Sequence, residues 1–304
     1  AHQGIQLRLE GEDAENVYTG VEFLRRAYQG EQLPIGDKVA VIGGGNTAID
    51  AARVAKRLGA DVTILYRRTE AEMPAIEHEI KDAKDEGIDI QLLVAPVGLI
   101  LEDGKCTGVR CLRMELGEPD DSGRRRPVPV EGSEYDVPVT ALIPAISQRP
   151  EWRDAERYIE GKNWFQVDDE WKIDEGVYAG GDAVNLDLVT TAIAHGRKGA
   201  EYIDDYLQGR DPVRPPALPL IKHDKMRLDH YEEMERNDRA WLPVDERIKD
   251  GALDIEIDMG ITEEQFQAEA KRCMSCGNCF WCEKCYLYCQ SGCVIKQEKG
   301  EPFK

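Results

Sequence analysis

Residues 37–68 read DKVAVIGGGNTAIDAARVAKRLGADVTILYRR. Residues 38–42 form a continuous apolar run, which reads as a buried strand. Residues 46–58 form an Ala-rich helical stretch closed by Gly59, and 62–66 a second strand. Strand, helix and strand within about thirty residues make a parallel βαβ unit. Between the first strand and the helix, Gly43, Gly45 and Ala48 form a G-x-G-x-x-A pattern, with Asn46 and Thr47 in the first helical turn. Gly43 permits the tight turn out of the strand. Gly45 lets a pyrophosphate approach the backbone where free helix N–H groups attract anions, and Ala48 lets helix and strand pack closely. The pattern alone is weak evidence, and a glycine-rich turn without a ligand is the alternative. The strand before it and the helix after it point to a Rossmann-like dinucleotide site.

The second strand ends in Arg67 and Arg68. An NAD-specific site usually places an acidic residue here for the ribose hydroxyl, whereas two arginines suit a 2′-phosphate. The reading is NADPH over NADH, the alternative being two solvated arginines on a loop. A second helix is expected over 75–86 and a strand over 89–95. Short strands and turns are expected from 98 to 145, with a hairpin turn at Asp103 and Gly104 and an exposed loop over 117–129. A strand over 171–181 and a helix over 187–207 follow. Pro-rich residues 211–220 read as a linker, and helices are expected near 225–240 and 262–272. Before the opening stretch, residues 1–36 form a lead-in with Val21, Phe23 and Leu24 on the apolar side of a helix.

The chain has 304 residues, 41% of them hydrophobic, and a net charge of −20. That charge argues against nucleic-acid binding, which wants a basic stripe, and is read as a device for solubility. No apolar run approaches the ~20 residues of a membrane helix, and the start is not a signal peptide. No Met starts the chain, which suggests a piece of a longer protein.

Seven of nine cysteines fall in CMSCGNCFWCEKCYLYCQSGC, residues 273–293. Such close spacing points to metal or cluster ligation in a reducing compartment, hence to the cytoplasm. Cys279, Cys282, Cys285 and Cys289 match the ferredoxin spacing C-x2-C-x2-C-x3-C, which wraps a [4Fe–4S] cube. Gln290 stands where Pro usually follows. Cys273, Cys276 and Cys293 are surplus and available to a neighbouring cluster. A zinc knuckle is the alternative. Cys106 and Cys111 read as core or surface thiols. Glu77, His78 and Glu79 do not share a helix face and are not read as metal ligands.

Residues 174–203, DEGVYAGGDAVNLDLVTTAIAHGRKGAEYI, place a short strand before Gly180, Gly181 and Asp182 and start a helix near Val189, Thr190 and Thr191. From the residues alone this is either a buried turn with Asp182 as a helix cap or a flavin-contacting turn. His195 reads as a surface or packing residue, the alternative being a neighbour of flavin. Together with LEGEDAENV (9–17), VTILYRRTEAEMPA (62–75) and IPAISQRP (143–150), the chain resembles the NAD(P)H-oxidising flavoproteins of the glutamate synthase small (β) subunit family over residues 1 to about 207.

The resemblance implies an α/β fold: a Rossmann-like NAD(P)-binding domain inserted in part of an FAD-binding domain, plus a small C-terminal Cys-rich ferredoxin-like segment. The expected division is a lead-in from the FAD domain (1–36), the NAD(P) domain (37–145), the C-terminal part of the FAD domain (146–210), a linker and helical segment (211–265) and an iron–sulfur segment (266–304). It further implies that Gly181, Asp182, Thr190, Thr191 and Ala192 touch FAD and that Met73 and Pro74 sit near the nicotinamide. Ser147 departs from the family's usual Gly at a junction turn. The family's own FAD glycine motif has no counterpart before residue 39. The expectation is therefore a fragment or one subunit of a split enzyme that binds FAD weakly by itself.

The implied function is an NAD(P)H:acceptor oxidoreductase. Electrons pass from NAD(P)H through FAD to [4Fe–4S] clusters and an electron-accepting protein or catalytic subunit, and no acid–base residue is required. The alternatives are a non-catalytic relay subunit needing a partner for flavin, and a zinc-knuckle interaction module. Anaerobically prepared protein is expected to carry iron and acid-labile sulfide, lost in Cys282→Ser and kept in Cys106→Ser. Stoichiometric zinc without sulfide would overturn the cluster assignment.

Overall fold

The computed structural model describes residues 2–120, 123–159, 164–212, 233–251 and 253–272. In chain order the first half runs β1 (His2–Gly4), α1 (Gly20–Tyr28), β2 (Lys38–Ile42), α2 (Asn46–Arg57), β3 (Asp61–Tyr66), α3 (Glu77–Asp85), β4 (Asp89–Leu92), β5 (Val94–Glu102), β6 (Lys105–Pro119), β7 (Arg125–Pro129), β8 (Tyr135–Pro138) and β9 (Ala141–Pro144). The apolar run at 39–42 becomes the inner strand of a four-stranded parallel sheet ordered β4-β3-β2-β9. Val41 lies between Ile64 on one side and Ile143 on the other.

Alternation along β2 assigns its two faces to two layers. Val39 and Val41 pack with Phe23 of α1 and the alanines of α2. Ala40 and Ile42 pack against Val94, Val109 and Cys111 of the antiparallel sheet built from β5, β6, β7 and β8. The parallel sheet is thus covered on both faces, as its continuous apolar strands require. Ala48, Ala51, Ala52 and Ala55 are fully buried, and their small side chains let α2 lie close on the sheet. Asn16 fastens the lead-in to this core. Its Nδ2 donates to the Cys106 and Thr140 carbonyls at 2.7 Å each, and its Oδ1 accepts the Cys106 N–H at 2.9 Å. Burial pushes the Cys111 thiol up to about 12 and raises that of Cys106, so both are inert core thiols.

Four sequence expectations are corrected. The strand at 89–95 is two strands broken at Leu93, which adopts φ 57° and donates its N–H to the Arg68 carbonyl; the chain there leaves the parallel sheet for the antiparallel one. The exposed loop at 117–129 is instead the end of a long β6–β7 hairpin. The strand at 171–181 is a small ribbon of β11 (Lys172–Asp174) and β12 (Val177–Tyr178). Of the helix near 225–240, residues 233–239 carry no regular structure and Ala240 lies in a strand; the remainder falls outside the described residues. Asp103 and Gly104 form the expected turn, with φ 50° and 78°.

The second half contains β10 (Gln148–Pro150), which pairs with β1, and α4 (Val189–Leu207). The chain divides into two compact units: residues up to 212 together with 243–255, and residues 213–242 together with 256 onward. In the first unit, α5 (Val244–Arg247) lies beyond the Pro-rich stretch and brings Arg247 to Asp82 (3.2 Å) and Glu86 (3.8 Å). In the second, β13 (Ala240–Trp241) pairs with β14 (Asp258–Gly260), and α6 (Glu263–Lys271) starts at a Thr262–Gln265 capping box.

Arg53 anchors the buried charges. It holds the fully buried Glu86 with two hydrogen bonds of 3.1 and 2.7 Å and Glu79 with one of 2.6 Å. Arg53→Ala leaves the buried Glu86 with only its longer contacts to Arg57 (3.5 Å) and Arg247 (3.8 Å), and the expected cost is about 2–3 kcal/mol. Urea unfolding measures it; a loss below about 1 kcal/mol would show that this network behaves as a surface one.

Candidate nucleotide and flavin site

The carboxyl ends of β2 and β3 meet the N-terminus of α2 at the glycine turn. Gly43 adopts φ 141°, and a Cβ there would be driven into the carbonyl of Ala145. Gly45, the N-cap of α2, is different: the nearest atom to a Cβ on it is Pro74 Cγ at 3.8 Å. Internal packing therefore demands glycine at 43 but not at 45. The open space beside Gly45 belongs to a cleft of about 570 Å³, lined by Gly43, Gly45, Thr47, Arg67, Pro74 and Gln148 among others. No side chain caps α2, so its leading N–H groups and the positive end of its dipole are left for an anion. Thr47 faces the cleft and accepts a 3.5 Å hydrogen bond from Gln148. Ala48 is buried. The Asn46 side chain is occupied elsewhere, accepting the Ile76 N–H at 3.0 Å and tying the turn to the start of α3. Pro74 walls the cleft and Met73 is buried beneath; α3 starts only at Glu77, so Pro74 is not its first-turn residue.

Three arginines line this cleft: Arg67, Arg68 and Arg124. Arg67 is exposed, and among the described residues no side-chain partner holds it. Arg68 is only 5% exposed. Its Nε donates to the Arg125 carbonyl at 2.7 Å and its Nη2 to Asp120 at 2.6 Å, so it fastens the β6–β7 hairpin to the end of β3. The hairpin in turn delivers Arg124, which sequence reasoning left in a loop. The signal available was the run Arg124, Arg125 and Arg126, an unusual basic cluster for a chain of net charge −20.

Residues 180–182 form the second focus. Gly181 opens a short 3-10 turn, Gly181–Ala183, with φ 59°; a Cβ there would lie 3.1 Å from the Cβ of Ala192. The Gly181 N–H donates to His195 Nδ1 at 3.1 Å. Asp182 is exposed within this turn, and the N-cap of α4 is Leu188, so the alternative of a buried turn with Asp182 capping the helix does not hold. Thr190 is exposed at the start of α4, with Thr191 and Ala192 half-buried behind it. Leu186, between this turn and α4, lines the nucleotide cleft, so the two foci share a wall. Leu188, Val189 and Ile193 leave the beginning of α4 apolar and 57, 75 and 66% exposed.

All seven cysteines at 273–293 lie outside the described residues. Among the described residues, no group of three His, Cys, Asp or Glu side chains is disposed to hold a metal, and no helix is long and apolar enough to cross a membrane.

A Rossmann-like unit joined through a two-stranded ribbon to a glycine–aspartate turn defines a two-nucleotide oxidoreductase fold. Residues 3–196 match the pyridine nucleotide-disulphide oxidoreductase family, and the chain belongs to that family. It is 37% identical over 294 residues to the NADP(+)-dependent formate dehydrogenase subunit beta of Moorella thermoacetica, covering 90% of this chain and 41% of that one. It is 38% identical to the glutamate synthase [NADPH] small chain of Escherichia coli, covering 68% of this chain and 49% of that one. The resemblance read from the sequence motifs is thereby borne out. The chain spans less than half the length of these relatives. The fold also matches Mycobacterium tuberculosis FprA in complex with NADPH, with a TM-score of 0.57 at 16% identity over 68% of this chain and 62% of that one.

The two glycines separate folding from binding. Gly45→Ala is expected to unfold within about 1 kcal/mol of the wild type while NADPH affinity falls at least about tenfold, because the added methyl occupies the space for the pyrophosphate. Gly43→Ala is expected to destabilise the fold itself. Thermal unfolding with fluorescence titration checks both; unchanged NADPH binding by Gly45→Ala would exclude this turn as the site.

Proposed function

We propose that this chain is the nicotinamide-and-flavin portion of an NADPH:acceptor oxidoreductase that passes electrons to an iron–sulfur cluster. The observation that carries the reading is the cleft beside Gly45, which joins an uncapped helix N-terminus, a cationic wall and Leu186 from the flavin-side loop. When bound, NADPH would supply a hydride, a flavin at the 180–192 turn would split the electron pair, and a cluster on the cysteines at 273–293 would accept single electrons. The protein's part is binding, orientation and electrostatics.

The N–H groups at 45–47 receive the pyrophosphate, with the Thr47 hydroxyl beside them; that of Ala48 is already donated to the Gly45 carbonyl. Arg67 and Arg124 form the phosphate-reading wall, and Arg68 lines it while holding the hairpin in place. Pro74 and Leu186 exclude water from the nicotinamide end. Gly181 and Asp182 face the ribityl chain. The start of α4, at Thr190, Thr191 and Ala192, turns its positive end toward the ring, where negative charge develops on reduction. Backbone held in the left-handed region at Gly181 lies flush on α4 and leaves the Asp182 carboxylate exposed, which suits a polar chain laid across the turn.

The cysteines at 273–293 supply the thiolates for [4Fe–4S] ligation, with Cys279, Cys282 and Cys285 as the close-spaced set. Residues 37–145 act as the NADPH domain and 1–36 with 146–210 as part of the flavin domain, while 211–265 connects to the cluster segment at 266–304. A reducing cytoplasm suits that thiolate set. The acceptor is a partner protein or catalytic subunit, as the name of the formate dehydrogenase subunit suggests for its own complex.

A second reading, in which the flavin is held jointly with another polypeptide segment, is favoured by the exposed apolar residues Leu188, Val189 and Ile193.

Replacing Arg67 and Arg124 together by Ala is expected to weaken NADPH by about 1.5–3 kcal/mol, roughly ten- to a hundredfold, and NADH little. Arg68→Ala, which releases the hairpin, is expected to weaken both nucleotides. Calorimetric titration of each variant with both cofactors decides; equal losses for NADPH and NADH in the double variant would remove the phosphate-reading role.

A further inference from the structure

His195 stands on α4 beside the turn at 180–182. We infer that His195 is a positioning residue: it accepts the Gly181 N–H on Nδ1 and fixes the 180–182 backbone against α4 in the conformation that presents Asp182 to flavin. The inference rests on the flavin reading of that turn.

Contacts on both sides of the turn define the arrangement. The donor at 3.1 Å is a backbone N–H, which cannot reverse its role, so Nδ1 must be unprotonated. A neutral ring then carries its proton on Nε2. The ring plane is set by Trp171, whose ring centroid lies 3.9 Å away at an interplanar angle of 37°. The turn backbone is pressed onto the same helix face: a Cβ on Gly180 would come within 2.9 Å of the His195 Cβ, and one on Gly181 within 3.1 Å of the Ala192 Cβ. Ala192 and His195 are three residues apart and therefore neighbours on that face. The far side of the turn is tied down as well, since the Phe165 N–H donates to the Ala183 carbonyl at 3.2 Å and the Phe165 ring stacks on Trp152 at 4.1 Å.

These contacts give His195 work that packing alone does not require. The Gly181 N–H is part-buried, and without an acceptor it would have to rotate toward water. Rotation there re-aims the next residue, Asp182. His195 thus acts through the Gly181 backbone, and so determines where the Asp182 carboxylate points. The two properties of the ring can be separated. His195→Gln keeps an acceptor on a flexible side chain and loses the contact with Trp171, whereas His195→Phe keeps the aromatic contact and loses the acceptor.

The test uses the whole chain labelled with 15N at histidine, glycine and aspartate. In the wild type, the nitrogen shifts of His195 should report the Nε2–H tautomer, and the Gly181 amide should exchange slowly. His195→Gln should retain slow exchange, while His195→Phe should exchange at least about tenfold faster. On titration with FAD, the Asp182 amide should shift in the wild type and in His195→Gln, and should need at least about tenfold more FAD in His195→Phe. A wild-type Nδ1–H tautomer, or a His195→Phe variant matching the wild type in exchange and FAD response, overturns the positioning role. If FAD moves no resonance of this turn in the wild type although the Nε2–H tautomer and slow exchange are present, the flavin reading falls and this inference with it.

Discussion

At Gly43 the backbone of the first βα turn passes so close to the carbonyl of Ala145 that no side chain fits between them. Two segments a hundred residues apart are brought together there: the turn that begins α2 and the end of β9. Ala145 is held by its own N–H, donated to the Ile42 carbonyl at 2.7 Å. From that point the chain leaves the parallel sheet through β10, whose pairing with β1 makes the ribbon toward residues 164–207. The same contact therefore shapes the floor of the cleft and fixes the exit toward the turn at 180–182. Gly45, two residues on, is free of such packing, and that freedom is what the cleft uses.

The electrostatics follow from the two ends of α2. Its N-terminus is uncapped and opens into a cleft walled by arginines. Its last turn carries Lys56 and Arg57, and one turn earlier Arg53 is bound into the carboxylates of α3. The negative end of the helix dipole is thus met by cations, while the positive end remains for a ligand. A chain of net charge −20 would repel a phosphorylated nucleotide over most of its surface, and the local cationic wall reverses that at one place. Arg68 shows how the wall is assembled: the ion pair with Asp120 spends its charge on structure, and the hairpin so fixed contributes another arginine to the cleft.

The βαβ unit was legible because both of its signals are local. A strand buried on both faces reads as an unbroken apolar run, and an Ala-rich helix with a glycine turn before it needs no distant partner to be recognised. The β6–β7 hairpin was not legible. Its outer half is largely exposed, so Arg125, Arg126 and the prolines carry no apolar alternation to mark a strand. The role of Arg68 was hidden for a related reason, since its carboxylate lies 52 residues away on that same hairpin. Leu93 broke a strand that looked continuous because a left-handed leucine leaves no mark in composition. At residues 180–182 the motif marked a turn ahead of a helix, and the structure has both, with the turn at Gly181–Ala183 and α4 starting at Val189. The hydrogen bond to His195 was not legible, since a single half-buried histidine on a helix carries no pattern of its own.

The central claim is that one chain joins a nicotinamide cleft to single-electron transfer. It is tested most directly by anaerobic titration with NADPH of the protein reconstituted with FAD, iron and sulfide, followed by visible absorbance. The account predicts loss of the flavin bands with about one NADPH per flavin, bleaching of the broad iron–sulfur absorbance with about half an NADPH more per cluster, and recovery of both on adding a one-electron acceptor. NADPH binding that leaves both chromophores oxidised would contradict it.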